Sequence, residues 1–409
     1  MINPTAVDSV LPVAGDTAFA LLRAAIDQAG SRIWVTQFIV DARPRDDREG
    51  IVRYLLHALA DAAHRGVDVR VLLPIVEAPS GPPYDINAPA ARFLAVRGVR
   101  VRRYAGSVQR PHLHAKVVIV DDDLLMVGNL NWTRRAAELN TEQGLVIRGA
   151  HATDLASQKF DWLWRRRTRS APVPPDPAIL PGDGAPRKGR PGRYWPAHRL
   201  RLDPHRRKSE LGLELYGRLQ CDLRSGSTIE LVAGQAYVKT VRALLDTATK
   251  RILITMLGLR ASTDKRLRVL LDSVKQATQR GVDVRVLYEV VDGPRTDWTE
   301  DIPELRSAGV PLRPWPLRSR MHMRSVIVDD EHVIAGSTAW TPQSVYLTEE
   351  MSVHAHDARL AGALAARFDA WWSAATVPHE AKPCIDPCPC DNCGDRNGSS
   401  SPVSNRVKR

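Results

Sequence analysis

The chain has 409 residues, 44% of them hydrophobic, so it can bury a substantial core and is not a disordered segment. Lys and Arg outnumber Asp and Glu by 58 to 46, a formal net charge of +12. That excess favours a polyanionic partner, nucleic acid or anionic lipid, or else marks a generally basic surface.

The opening stretch, MINPTAVDSVLPVAGDTAFALL, lacks a basic run followed by an unbroken apolar core, so no secretory signal is expected. Next comes RIWVTQFIV (Arg32 to Val40), which reads as a strand. An apolar-periodic helix, IVRYLLHALADAAH, hands the chain to a second strand, RGVDVRVL (Arg65 to Leu72). RGVRVRRY (Arg97 to Tyr104) follows, then LHAKVVIVDDDLLMVGNLNW (Leu113 to Trp132) and a closing helix containing Phe160, Asp161 and Trp164.

After a break the same series recurs. RILITMLGL begins at Arg251, the helix LRVLLDSVKQATQ follows, and RGVDVRVL returns unchanged at Arg280 to Leu287. SAGVPLRPW (Ser307 to Trp315) and MHMRSVIVDDEHVIAGSTAW (Met321 to Trp340) complete the second copy. From the His onward the copies keep an unbroken offset of 208, pairing His114 with His322, Glu142 with Glu350 and Trp164 with Trp372. Strands alternating with helices, written twice, predict α/β units paired about a pseudo-twofold axis.

The break itself is rich in Pro and Gly from Ser170 to Gly192. Arg165 to Lys208 carries 13 Lys or Arg against Asp176, Asp183 and Asp203, which suits either a flap gripping a polyanion or a solvated linker. The expected organisation is a first repeat over 1–169, a basic linker over 170–228, a second repeat over 229–378 and a flexible tail over 379–409. Leu360 to Val377 contains Arg367 and Asp369 and is too short and charged to span a membrane. The tail holds Cys384, Cys388, Cys390 and Cys393, whose spacing fits paired zinc knuckles imperfectly, so reduced thiols are expected there.

His114 and Lys116, two apart in an extended run, leave one face together; Asn129 and Asn131 repeat that spacing after Gly128. An imidazole, an ammonium and two amides on one surface suit a tetrahedral oxyanion such as a phosphate. Glu142 is the expected partner for the remaining ring nitrogen of His114, fixing its tautomer.

The complete spacing, His-x-Lys-x4-Asp-x6-Gly-x2-Asn, stands in the first copy, and His-x-Arg-x4-Asp-x6-Gly-Ser in the second. Here the chain resembles the phospholipase D superfamily, whose signature His-x-Lys-x4-Asp-x6-Gly-Ser-x-Asn occurs twice. The likeness covers residues 15 to 378. It implies two tandem α-β-α repeats packed as a pseudo-twofold pair with the active site between them, one chain being sufficient to build it. It also implies attack by one His on phosphorus to give a phosphohistidine, proton delivery by the other, and no metal or cofactor. His114, Lys116, Asn131 and Glu142 match one half-site, and His322, Arg324, Ser337 and Glu350 the other; Asp121 and Asp329 match motif positions read as structural.

The departures are Asn129 for Ser, Arg324 for Lys and Ala339 for Asn. The last removes a phosphate donor, a loss of about 2–4 kcal/mol in a preorganised site. The first half-site is therefore expected to hold phosphate more tightly, with His114 as nucleophile and His322 as acid. GNLNWT resembles the turn of the nuclease-like branch, Zucchini-type enzymes included, and with the basic linker it tilts the substrate towards nucleic acid. Phospholipid hydrolysis, cardiolipin-synthase-like phosphatidyl transfer and non-catalytic binding are the alternatives. A cytoplasmic location is expected, with peripheral membrane contact left open. Trp162, Trp164, Trp371 and Trp372 are expected to pack in the core.

Overall fold

The computed structural model describes residues 5–6, 9–43, 47, 50–76, 85–104, 112–166, 168–170, 227–290, 299–317 and 319–375. The first half begins with β1 (Thr5–Ala6), β2 (Ser9–Val13), α1 (Gly15–Gln28), β3 (Arg32–Thr36), α2 (Ile51–His64) and β4 (Asp68–Pro74). It continues through α3 (Ala88–Ala95), β5 (Arg100–Tyr104), β6 (His112–Leu113), β7 (Lys116–Val120), β8 (Leu124–Gly128), β9 (Gly144–Arg148), α4 (Ala150–Arg165) and β10 (Thr168–Ser170). The second half opens with β11 (Thr228–Val232), α5 (Gly234–Thr247), β12 (Arg251–Met256), α6 (Lys265–Gln279), β13 (Asp283–Tyr288), α7 (Ile302–Ser307) and β14 (Leu312–Pro314). β15 (Arg324–Val328), β16 (His332–Gly336), β17 (Thr348–Glu349), β18 (Ser352–His356) and α8 (Ala358–Ala374) complete it.

Each half folds on a mixed sheet, ordered β10-β5-β4-β3-β7-β8-β9-β2 in the first and β1-β11-β18-β16-β15-β12-β13-β14 in the second. The neighbours β3, β4 and β5 are parallel because α2 and α3 cross over between them, and α6 and α7 do the same for β12, β13 and β14. The repeated RGVDVRVL is a helix exit. Gly66 (φ 92°) and Gly281 (φ 83°) take the left-handed turn after α2 and α6. Val67 N–H then donates to Ala62 and Val282 N–H to Ala277, closing each helix.

One face of the first sheet packs on α1, α2 and α3, and one face of the second on α5, α6 and α7. The other faces meet in a shared core with α4 and α8, where Trp34, Phe160 and Leu113 join Ile327, Met351 and Phe368. Strands covered on both faces need continuous apolar runs, which is why KVVIV and LLMVG are buried throughout. At roughly 1.5–3 kcal/mol for each large apolar side chain, this shared core binds the two halves into one body.

Two expectations are corrected. The first repeat was placed from residue 1, yet β1 pairs antiparallel with β11 at the edge of the second sheet. Trp162 is not core but 40% exposed, its ring lying under Lys159 and Arg166. Trp164 is buried on Phe160, and Trp371 and Trp372 pack partly buried against the shared core. Nearly all of the linker and the four tail cysteines lie outside the described residues, as does Cys221. Among the described residues no helix is long and apolar enough to cross a membrane.

Candidate active site

The seam between the halves is stitched by backbone. β6, just before His114, pairs parallel with β17, just before Glu350. His114 N–H and Ala115 N–H donate to the Glu349 carbonyl at 3.0 and 2.8 Å. The mirror contact has Thr141 N–H donating to Arg320 at 2.8 Å and His322 N–H to Thr141 at 2.9 Å. Each His is thereby pinned beside the Glu of the other repeat.

The side chains follow. His114 Nδ1 lies 2.9 Å from Glu350, and His322 Nδ1 lies 2.8 Å from Glu142. The expected pairing of His114 with Glu142 is therefore wrong; the carboxylates are exchanged across the seam. In both pairs the carboxylate takes Nδ1, leaving Nε2 of each ring for substrate. Lys116 and Arg324 sit at equivalent strand starts, 3% and 6% exposed. Each reaches back to the carbonyl of the His two residues earlier.

The glycines before each turn are demanded by close approach. A Cβ on Gly128 would sit 2.7 Å from the Gln143 carbonyl, and one on Gly336 2.5 Å from that of Met351. The next residue ties the turn across the same gap. Asn129 Oδ1 accepts from Gln143 N–H at 3.0 Å, and Ser337 Oγ accepts from Met351 N–H at 3.1 Å. Both were expected among the phosphate ligands. Ser337 is instead fully buried, its hydroxyl also donating to Met351, whereas Asn129 keeps a buried, unbonded amide nitrogen.

Asn131, expected beside His114, lines a cleft with Thr133, Arg135, Arg320, Glu142 and His322. Its Oδ1 accepts from Ile39 N–H, which turns the amide nitrogen away from that contact. Asp121 and Asp329 stand at the far ends of β7 and β15. Asp121 accepts from the N–H groups of Gly30, Ser31 and Arg32, and Asp329 from those of Thr249, Lys250 and Arg251.

The two carboxylates differ in charge. Burial pushes Glu350 up, but the charge and hydrogen bond of His114, with the charge of Lys116, outweigh it and hold the carboxyl at about 2. Burial pushes Glu142 well above the usual range, beyond what the Asn140 amide, Arg324, Lys116 and Arg320 recover. Burial lowers His114 to about 4, against Glu350 and helped by Lys116, and lowers His322 further below its usual value with Arg324, Lys116 and Arg320 adding to it. At neutral pH His114, lowered to about 4, is thus a neutral imidazole on an ionised carboxylate, whereas in the His322–Glu142 pair burial favours the uncharged form of both partners. Such a site offers a nucleophile on one side, a held proton on the other, and cations between them for an anion.

Sequence reading missed the residues that hydrogen-bond these carboxylates. Ser344 and Thr348 hydroxyls donate to Glu350 at 2.9 and 2.8 Å, and the Asn140 amide donates to Glu142 at 3.1 Å. Phe38 was missed too; its ring lies 4.6 Å from that of His114 and under the Lys116 ammonium. The polar residue two before each Glu, at equivalent positions of the repeat, was the available signal for Asn140 and Thr348. Among the described residues, the donors close enough to share a metal lie elsewhere, at Glu331, His332 and His356.

Comparison with known proteins places this geometry. A family model described as cardiolipin synthase, PLD-like domain, matches residues 22–164 and 241–372. Cardiolipin synthase A of Klebsiella pneumoniae subsp. pneumoniae is 36% identical over 153 residues, 37% of this chain and 28% of that protein. Its counterpart in Escherichia coli O157:H7 is 35% identical over the same length and share. The match thus spans little more than a quarter of those relatives. The structure of phosphatidylserine synthase from Haemophilus influenzae Rd KW20 superposes with a TM-score of 0.62 at 13% identity, covering 91% of this chain and 87% of that one. At that identity the likeness speaks for the fold.

Proposed function

The chain belongs to the cardiolipin synthase, PLD-like domain family, and from that premise we propose that it is a phosphodiester-cleaving enzyme acting on phospholipid headgroups, by transfer or hydrolysis. The observation that carries this reading is the crossed pairing of His114 with Glu350 and of His322 with Glu142 around one cleft. His114 Nε2 attacks phosphorus and the bond to the leaving alcohol breaks, its oxygen taking a proton from His322. His322 then removes a proton from the acceptor hydroxyl, whose oxygen displaces His114 and breaks the P–N bond. Lys116, Arg324 and Asn131 hold the non-bridging oxygens as charge develops. The low carboxyl behind His114 and the raised one behind His322 support this assignment of nucleophile and acid.

Lipid is favoured over nucleic acid on three grounds. The family and the cardiolipin synthase relatives point that way. Leu139 and Leu347, 47% and 48% exposed, stand three residues before each Glu and present paired apolar side chains. The Trp of the nuclease-like turn offers no face to a base, because Trp132 and Trp340 are buried at 2% and 0%.

The test is purified chain in EDTA with headgroup-labelled phosphatidylglycerol vesicles beside labelled single-stranded DNA and RNA. Release or transfer of the lipid headgroup, with a phosphohistidine adduct lost in His114→Ala, is expected. Cleavage of nucleic acid alone would overturn the substrate, and behaviour unchanged in His114→Ala would make the protein a binding module.

A further inference from the structure

At the end of the second sheet remote from the seam, three histidines and two glutamates gather. His332 opens β16 and Ser337 follows its last residue, so at ~3.3 Å per residue the cluster lies roughly 15 Å from the catalytic turn. Strand register sets His332 opposite His356, Ile334 opposite His354, and His354 opposite Glu230 of β11. The alternation of side chains then puts all three imidazoles and Glu230 on one face.

The donors are spaced for a metal. His332 Nδ1 lies within hydrogen-bonding distance of His354 Nε2, at 3.1 Å, which fixes its ring. Glu331, His332 and His356 each offer a donor atom within 4.8 Å of the others. His354 Nδ1 in turn faces Glu230 at 3.7 Å, a chain of side chains that holds the His332 ring in place. Glu331 and His356 are about half exposed, at 51% and 52%, and leave a way in.

The pseudo-twofold supplies a control. The first repeat has Leu124, Val146 and Arg148 where the second has His332, His354 and His356, and Asp123 at the place of Glu331. There Arg148 and Asp123 close a 2.6 Å ion pair. The fold therefore needs neither the histidines nor their convergence.

We propose that Glu331, His332 and His356 bind one divalent transition-metal ion of the zinc class, with His354, against His332 on one side and Glu230 on the other, supporting them. The ion ties β16, β18 and the turn before β16 together at the open end of the sheet. Imidazole and carboxylate donors suit zinc, and nothing in the mechanism above uses it.

The experiment titrates chelator-stripped full-length chain with Zn²⁺ against a chromogenic chelator. It is run in a Cys384, Cys388, Cys390 and Cys393→Ser background to silence the tail thiols. One equivalent should bind and raise the melting temperature. His332→Leu/His354→Val/His356→Arg, which copies the first repeat, should weaken binding about 100-fold or more while phosphohistidine formation persists. If that variant does not fold, His356→Gln at its exposed position should weaken binding about 10-fold. Zinc uptake absent from the Ser background, or unchanged in the folded His variant, overturns the proposal.

Discussion

Behind His114, Glu350 accepts hydrogen bonds from the Ser344 and Thr348 hydroxyls at 2.9 and 2.8 Å, whereas behind His322, Glu142 accepts one from the Asn140 amide at 3.1 Å. The first repeat carries Ala136 and Asn140 where the second carries Ser344 and Thr348. Both carboxylates are buried and both face an imidazole, yet their hydrogen-bond partners differ. His114 and the nearby Lys116 hold Glu350 low against its burial, whereas for Glu142 burial outweighs the Asn140 amide and the cations around it. Because the carboxylates are exchanged across the seam, the environment tuning each His belongs to the other repeat. A motif repeated almost unchanged can thus place its two histidines in two different environments.

The largest effect should come from the histidines. His114→Ala should lose on the order of 10³-fold or more in turnover and form no adduct, while His322→Ala should lose less with an activated leaving group and accumulate the adduct. Intact-mass analysis reads the adduct, and finding it in His114→Ala instead would reverse the two halves. Next, Glu350→Gln should cost roughly 10³-fold, because it removes an ionised orienting group. Glu142→Gln, at a carboxyl whose ionised form burial disfavours, should cost less, about 10-fold; equal losses would erase the proposed asymmetry.

Asn131→Ala should cost about 10²-fold in kcat/KM, with the loss falling on phosphate binding. No equivalent loss is available in the second repeat, where Ala339 already stands.

A pH-dependence of stability should follow. His114 is held at about 4 in the folded protein against 6.5 unfolded, so the unfolded chain binds the extra proton between those values. The melting temperature should fall as pH drops through that window, and His114→Gln should flatten the slope. Glu350, lowered from 4.5 to about 2, adds a loss in the still more acidic window between those values, absent from Glu350→Gln.

The smallest and most symmetric effect concerns the motif aspartates. Asp121→Asn and Asp329→Asn should each lose about 2 kcal/mol of stability, since each carboxylate gathers three backbone N–H groups. Chemical denaturation should give equal values, and inequality would show that the repeats differ in scaffold as well as chemistry.

Much of this was legible in the residues. The doubled RGVDVRVL gave the helix exits, because a Gly after a helix and a run of Val and Leu are local signals. The unbroken offset from His114 to Trp372 gave the twofold pairing of the units. Trp162 misled because a closing helix has an exposed side as well as a buried one, and aromatic identity does not say which. β1 could not be assigned to the second sheet, since two residues carry no register.

By itself, then, the sequence determined the inventory: two histidines, two glutamates, two cations and the strands and turns that carry them, all set by spacing within each repeat. Which Glu meets which His was decided only by tertiary structure. The pairing of β6 with β17 joins residues more than two hundred positions apart, and no local periodicity encodes such a contact. The charge on each carboxylate was decided there as well, because it depends on the burial and hydrogen-bond donors that packing the two halves together creates.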